Sequence, residues 1–341
     1  MTPHVMAANS ITSMLACALA ARGELFDERH ESAFRLFNGF LEGCPDLVID
    51  LYARTLVLHN YAEPPASSQA TLAEATEFLR GQLPWVCAIV LKTRKAPDLD
   101  ARRGVVLYGQ SLDRRVRDPH GKVWYAIDLL LNHDASFYLD TRNVRAWAQS
   151  RLAGKTVLNT FAYTGSLGVA ALAGGASRVV HLDRSRAWLN IAKTSYTLNG
   201  FPIHKTDFLA GDFFTQVSRL KRAGECFDCA LVDPPFFSTT KQGTVDLVHE
   251  SHRLINKVRP LINDGGYLVA INNALFVSGA EYIKTLQALC ADGYLSIEEL
   301  IPIPPDFTGY LQTSTRTLPV DPAPFNHSTK IAVLRVRRKG A

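Results

Sequence analysis

A chain of 341 residues, 47% hydrophobic and 20% charged, holds enough apolar material for two folded domains and has no stretch of disordered composition. Its formal net charge of +5 permits a polyanionic partner without requiring one. Six scattered cysteines lack the paired spacing of a disulfide framework or a zinc site, so they read as reduced thiols of a cytoplasmic protein, with no metal expected.

Near the N-terminus, the apolar run at residues 14–21 has no basic lead-in and is too short to cross a bilayer. It predicts a short helix packing on the body, within a helical extension over residues 1–30, with no targeting signal and no membrane association. Residues 31–122 read as a small α+β domain suited to substrate binding. Residues 47–50 and 55–60 alternate like strands, Pro64-Pro65 interrupts, 72–83 has helical spacing and 86–91 suits a buried strand. A polar, Arg-rich stretch over 97–117 follows, and a strand pattern resumes at 124–131. Basic residues gather at Lys92, Arg94 and Lys95, at Arg102 and Arg103, at Arg114, Arg115 and Arg117, and at Arg335, Arg337, Arg338 and Lys339. Each group reads as a solvated face or strand end.

From about residue 141 the rhythm changes. Helices are expected at 142–152, 167–173, 187–198, 214–222 and 247–260. They alternate with strands at 156–159, 178–182, 204–208, 229–232 and 267–271. That alternation defines an α/β domain over 123–341 with a mostly parallel, Rossmann-like sheet. Residues 294–303 and 330–336 suit a closing antiparallel pair.

Ligands of such sheets bind beyond the carboxyl ends of the strands. The first strand runs into Asn159-Thr160-Phe161-Ala162-Tyr163-Thr164-Gly165-Ser166-Leu167-Gly168. Gly165 allows a close backbone approach, but bulky Phe161 and Tyr163 replace the glycines that a pyrophosphate needs, which disfavours a dinucleotide. Asp183 ends the second strand roughly 20 residues on, where an acid can take both ribose hydroxyls; it also stands in capping order with Ser185. Asp212-Phe213 follows the third strand, placed for an adenine amino group and ring or for another helix cap. The fourth strand ends in Asp233-Pro234-Pro235-Phe236. Two prolines remove two N–H donors and leave carbonyl acceptors, an acid precedes them, and Phe236 offers a stacking face. Together these strand ends favour methyl transfer from S-adenosylmethionine.

The sequence resembles the bacterial 23S ribosomal RNA large-subunit methyltransferases of the I and K types, a class I methyltransferase family. The likeness rests on Phe137-Tyr138-Leu139-Asp140-Thr141-Arg142, on the first-strand run through Gly165, on Gly174-Gly175-Ala176, Asp183-Arg184-Ser185, Asn199 and Asp233-Pro234-Pro235. With the strand-end residues, these matches imply cofactor contacts from Phe137, Tyr138, Asp140, Asn159, Phe161, Tyr163, Thr164, Gly165, Asp183, Ser185, Asp212 and Phe213. Phe137, Tyr138 and Asp140 read equally as a loop over the cofactor and as a hydrophobic lead-in to the next helix. Members of the I type begin with a PUA domain; here roughly 30 unrelated residues precede the small domain, so RNA holding would fall to that domain and the Arg-rich stretch.

Methylating carbon-5 of a pyrimidine requires a thiolate nucleophile. Where such members carry cysteine, after the fifth strand, this chain has Ile271-Asn272-Asn273, as in the guanine-N7 members. A base nitrogen needs only in-line placement against the methyl group. Asp233 and the Pro234 carbonyl would orient it, with Pro235, Phe236 and Asn272 or Asn273 completing the catalytic set and no proton acceptor assigned. The expected partner is RNA, ribosomal in the first instance; the oligomeric state is open, a homodimer among the options. A methyltransferase for protein or small molecules, and a non-catalytic RNA-binding assembly factor, are the alternatives, and an NAD enzyme ranks below them.

Overall fold

The computed structural model describes residues 10–318 and 323–338. The first nine residues of the expected N-terminal extension, and Lys339 of the last basic cluster, lie outside the described residues. The chain divides into two compact units, one comprising the residues up to Lys122 with Ile127–Leu139 and Pro305–Leu318, the other the remainder.

In the first unit, β1 (Ala33–Asn38), β2 (Leu47–Tyr52), β3 (Thr55–Asn60), β4 (Ala88–Thr93) and β5 (Val105–Tyr108) form a sheet in that order. All neighbours are antiparallel except β3 and β4, whose parallel pairing requires the crossover that α2 (Gln69–Gln82) supplies. The predicted N-terminal helix is α1 (Ile11–Ala21), capped by Ser10, and its Ile11, Leu15 and Ala18 share one apolar core with Leu72, Ala75 and Leu79 of α2. Arg22 donates to both carboxylate oxygens of Glu42 at 2.9 and 3.1 Å, wholly enclosed, and Glu42 also accepts from the Asn38 amide. Removing either partner would leave a buried charge uncompensated.

Three expectations need correcting here. Lys92 is no solvated surface residue: it is wholly buried, and its ammonium donates to the carbonyls of Arg103, Asn132 and Asp134. The stretch 97–117 contains a short helix, Leu99–Arg103, and β5, whose apolar side chains are all exposed at the sheet's edge. Of the strand expected over 124–131 only Tyr125–Ala126 is extended as a strand; beyond it the chain turns, the Asp128 carboxylate accepting from the Leu130 amide and Ser136 Oγ from the Asp128 amide.

The second unit starts with α3 (Arg142–Arg151). Then β6 (Thr156–Thr160), α4 (Ser166–Ala173), β7 (Arg178–Asp183), α5 (Arg186–Asn199), β8 (Phe208–Ala210), α6 (Phe213–Arg222) and β9 (Phe227–Val232) alternate. A hairpin, β10 (Phe237–Thr240) and β11 (Gly243–Asp246), precedes α7 (Ser251–Val258), β12 (Ile262–Asn272), α8 (Gly279–Cys290), β13 (Leu295–Leu300) and β14 (Lys330–Val336). The sheet order is β8-β7-β6-β9-β12-β14-β13, parallel except for β14, which runs antiparallel to both neighbours. The third strand starts where it was expected to end. Residues Lys205–Asp207 form a tight turn instead, with Asp207 held by Arg178 Nε at 2.9 Å. Helix α7 is shorter than its apolar spacing predicts, because the chain before it is still completing the hairpin and Pro260 lies in a separate turn after it.

Helix α4 approaches β7 closely. A Cβ at Gly168 would sit 2.4 Å from His181 Cε1, and one at Gly165 would sit 2.6 Å from Ala192 Cβ. His181 cannot yield: it is buried, stacked on Phe208, and bonded through its two ring nitrogens to Asn159 and Tyr196. Gly168→Ala is therefore expected to destabilise the protein by roughly 1–3 kcal/mol in denaturant unfolding. Gly81→Ala, in α2 with nothing within 4 Å, should stabilise it by roughly 0.5–1 kcal/mol.

Candidate active site

Strands β6 and β9 are neighbours at the centre of the sheet, and the chain leaves them in opposite directions, so their carboxyl ends flank a topological switch point. Thr160 Oγ1 donates across this gap to the Leu231 carbonyl at 3.0 Å. Beyond β6 the backbone takes left-handed conformations at Phe161 (φ 53°), Tyr163 (φ 50°) and Gly165 (φ 80°). For Phe161 and Tyr163 that geometry costs roughly 1–3 kcal/mol each, a strain typical of ligand-clamping loops. It is held by Ala162 N–H on the Leu182 carbonyl and Tyr163 N–H on Asp183 Oδ2. Tyr163 packs edge-on against Trp188, and Thr164 is buried.

Asp183 accepts one backbone N–H on each carboxylate oxygen, from Tyr163 and Ser185, both at 2.8 Å. Burial raises its carboxyl above the usual range against the pull of those N–H groups. Each oxygen keeps a further lone pair. Ser185 caps α5. Asp212 caps α6 with Oδ1, and Oδ2 has no partner among the described residues. Two residues expected in cofactor contacts are buried and have partners in the interior. Asn159 is buried with its amide on His181 Nδ1 at 3.2 Å, an acceptor because burial holds His181 neutral, at about 3. Phe213 is buried and stacks on Phe161 with centroids 4.5 Å apart, which leaves the half-buried Phe161 as the more accessible ring.

At the end of β9, Asp233 is half-buried, Pro234 buried, and Pro235 and Phe236 exposed. No hydrogen bond or ion pair reaches the Asp233 carboxylate among the described residues. Burial and, after it, the charge of Asp140 push this carboxyl up to about 7. Asp140 itself accepts from Thr329 Oγ1 at 3.2 Å. Phe137 and Tyr138 belong to the first unit, where Phe137 is buried and the Tyr138 hydroxyl donates to Asp134.

Asn272, expected to meet the substrate, is wholly enclosed. Its amide donates to the Leu247 carbonyl at 3.2 Å, its oxygen accepts from the Ala274 amide at 2.9 Å, and Leu247 N–H reaches back to the Phe236 carbonyl. It thus braces the loops after β9 and β12. Asn273, weighed with it, is the residue that reaches the motif, its amide donating to the Pro234 carbonyl at 3.4 Å. Sequence reasoning missed Lys330, which is wholly buried and donates to the carbonyls of Ala274, Val277 and Ser328 at 2.8, 3.0 and 2.5 Å. A lysine opening a strand carries no signal of such a role. Cys229 is buried in β9, its thiol pushed well up by burial, and Cys290 lies in α8, so among the described residues no thiol stands at the end of β12.

Strained loop, strand-end acids and an unpaired carboxyl, set around the switch point of a parallel sheet, define a small-ligand transfer site of the class I methyltransferase type. A family model of S-adenosylmethionine-dependent methyltransferases matches residues 34–313, and the chain belongs to that family. It is similar to the ribosomal RNA large subunit methyltransferase I of Photobacterium profundum, 28% identical over 284 residues, 83% of this chain and 71% of that one. The protein of the same name from Aeromonas hydrophila is 34% identical over 229 residues, 66% of this chain and 56% of its own length. A solved structure described as an S-adenosylmethionine-dependent methyltransferase from Streptococcus mutans shares the fold, with a TM-score of 0.77 at 20% identity over 96% of this chain and 82% of that one. The protein is an enzyme that uses S-adenosylmethionine. Among the described residues no helix is long and apolar enough to cross a membrane.

The bracing role of Asn272 has a measurable consequence. Asn272→Ala should lower unfolding stability by roughly 1–3 kcal/mol by orphaning the Leu247 carbonyl and the Ala274 amide. Unchanged stability with lost activity would instead mark a residue that meets the substrate.

Proposed function

We propose that the enzyme transfers the methyl group of S-adenosylmethionine directly to a base nitrogen of RNA in the cytoplasm, ribosomal RNA in the first instance, and a ring nitrogen of the guanine-N7 kind. The observation that carries this reading is the Asp233 carboxyl, unpaired and held near neutrality beside Pro234 and Phe236. The RNA assignment draws on the names of the relatives in Photobacterium and Aeromonas.

The residues present fit the cofactor. Asp183 would accept the ribose hydroxyls on its spare lone pairs, Asp212 Oδ2 the adenine amino group, and Phe161 would face the adenine ring, while Gly165 lets the backbone come close. Tyr163 and Thr164 shape the same loop, and Ser185 holds Asp183 in place. When bound, S-adenosylmethionine supplies an electrophilic methyl carbon on a sulfonium.

Held by Asp183, Asp212 and Phe161, the cofactor would supply that methyl group to an acceptor nitrogen that Asp233, Pro234 and Phe236 hold in line. No covalent bond to the protein is needed, consistent with the missing thiol. Phe236 stacks on the base, and Asp233 acts as its anion. At a nitrogen that carries hydrogen, the anion takes the proton; at a ring nitrogen such as guanine N7, it offsets the positive charge the ring acquires.

Both cases need ionised Asp233, which fixes the sign of the pH dependence. A raised carboxyl is protonated and inactive below its midpoint, so kcat/KM should climb about tenfold per pH unit below 7 and level off above it. Asp140→Asn removes the neighbouring like charge and should move the midpoint to lower pH. Asp233→Asn should cut methyl transfer to ribosomal RNA by roughly 10²–10⁴-fold while calorimetry shows S-adenosylmethionine still bound. Full transfer by Asp233→Asn would overturn the assignment.

A further inference from the structure

We infer that Leu275 and Phe276 form a rigid apolar wedge that holds the acceptor base unstacked against Phe236, so that the substrate is an unpaired nucleotide rather than one within a duplex. This rests on the reading of the site as an RNA base methyltransferase.

Three observations lead there. The two side chains are 71% and 79% exposed, in a protein whose other large apolar residues are mostly enclosed. They occupy the middle of a turn closed by Val277 N–H on the Ala274 carbonyl at 3.4 Å, a place where small or polar residues are the rule. The turn is also fixed from within. Lys330 grips the carbonyls of Ala274 and Val277, the residues on either side of the exposed pair, while Asn272 Oδ1 holds the Ala274 amide. After it, Ser278 and Glu281 close a reciprocal cap on α8. An exposed apolar pair on a turn clamped at both ends presents its surface without the freedom to fold it away.

The position identifies the occupant. Phe276 meets Phe236 edge to face, with ring centroids 6.3 Å apart and the planes at 61°, so the exposed pair adjoins the aromatic residue of the Asp233-Pro234-Pro235-Phe236 motif. Asn273 ties the start of this turn to the motif, its amide donating to the Pro234 carbonyl at 3.4 Å. Exposed aromatic rings next to the motif, Phe236 at 41% and Phe276 at 79%, suit the flat face of a planar heterocycle, a nucleobase. A base still paired and stacked in a helix offers neither face. Apolar wedges that unstack bases, and pockets that read the extruded base by stacking and edge hydrogen bonds, are established solutions to that problem.

The test uses the full-length enzyme, Phe276→Ala, Phe276→Trp and Leu275→Ser, with ribosomal RNA from a strain lacking the gene as methyl acceptor. A fluorescein-labelled single-stranded RNA oligomer and its duplex serve as binding probes. Phe276→Ala should raise KM for RNA and Kd for the single strand roughly tenfold, with S-adenosylmethionine affinity unchanged, and Phe276→Trp should restore both. Leu275→Ser should weaken binding in the same direction. The parent should bind the single strand more tightly than the duplex. A parent that methylates ribosomal RNA, with Phe276→Ala equal to it in KM and Kd, overturns the wedge alone. A parent that methylates no ribosomal RNA overturns the proposed function and this inference with it.

Discussion

Asp233 ionises against its surroundings. Protein closes around most of the side chain, the Asp140 charge stands nearby, and no cation or hydrogen-bond donor among the described residues compensates it. Such a group persists because the backbone that carries it has little choice. Strand β9 lies between β6 and β12 and is buried at its end through Val232, and the two residues after Asp233 are prolines with fixed φ and no N–H to donate. The acid is thus delivered to the carboxyl edge of the sheet at the point where the topology opens a cleft.

Around that carboxyl the polar groups divide into those whose hydrogen bonds are spent inside the protein and those with capacity left over. Asn272, Asn159, His181 and Lys330 are all buried, and their side-chain bonds run to other parts of the protein. They set the loops after β6, β9 and β12 in place, so that less ordering remains for binding itself. The groups with capacity to spare are few and differ in character: a spare lone pair on each Asp183 oxygen, Asp212 Oδ2, the Asn273 oxygen and Asp233. The strain at Phe161 and Tyr163 survives because Asp183 holds the Tyr163 amide and the Leu182 carbonyl holds the Ala162 amide between them.

Much of this was legible in the sequence. Strand–helix alternation from β6 to β12, and the acids at the strand ends, follow from apolar periodicity and turn chemistry, and β14 falls where it was expected at Lys330–Val336. Asp183, Asp212, Gly165 and Asp233 lie at strand ends as read. The differences have physical origins. Periodicity reports which residues are buried but not what a buried polar group bonds to, so the interior partners of Asn159 and Asn272 were not foreseen and Lys92 read as surface. The hairpin β10–β11 went unseen because its strands are short, polar and half-exposed. Leu275 and Phe276 went unseen for the opposite reason, since apolar residues after a buried strand ordinarily belong to the core.

What the site acts on is decided most directly by the nucleosides themselves. Ribosomal RNA from strains with and without the gene, digested and compared by mass spectrometry, should differ in one nitrogen-methylated base that is present only with the gene. Identical nucleoside profiles, or a difference confined to a carbon-methylated pyrimidine, would contradict the account.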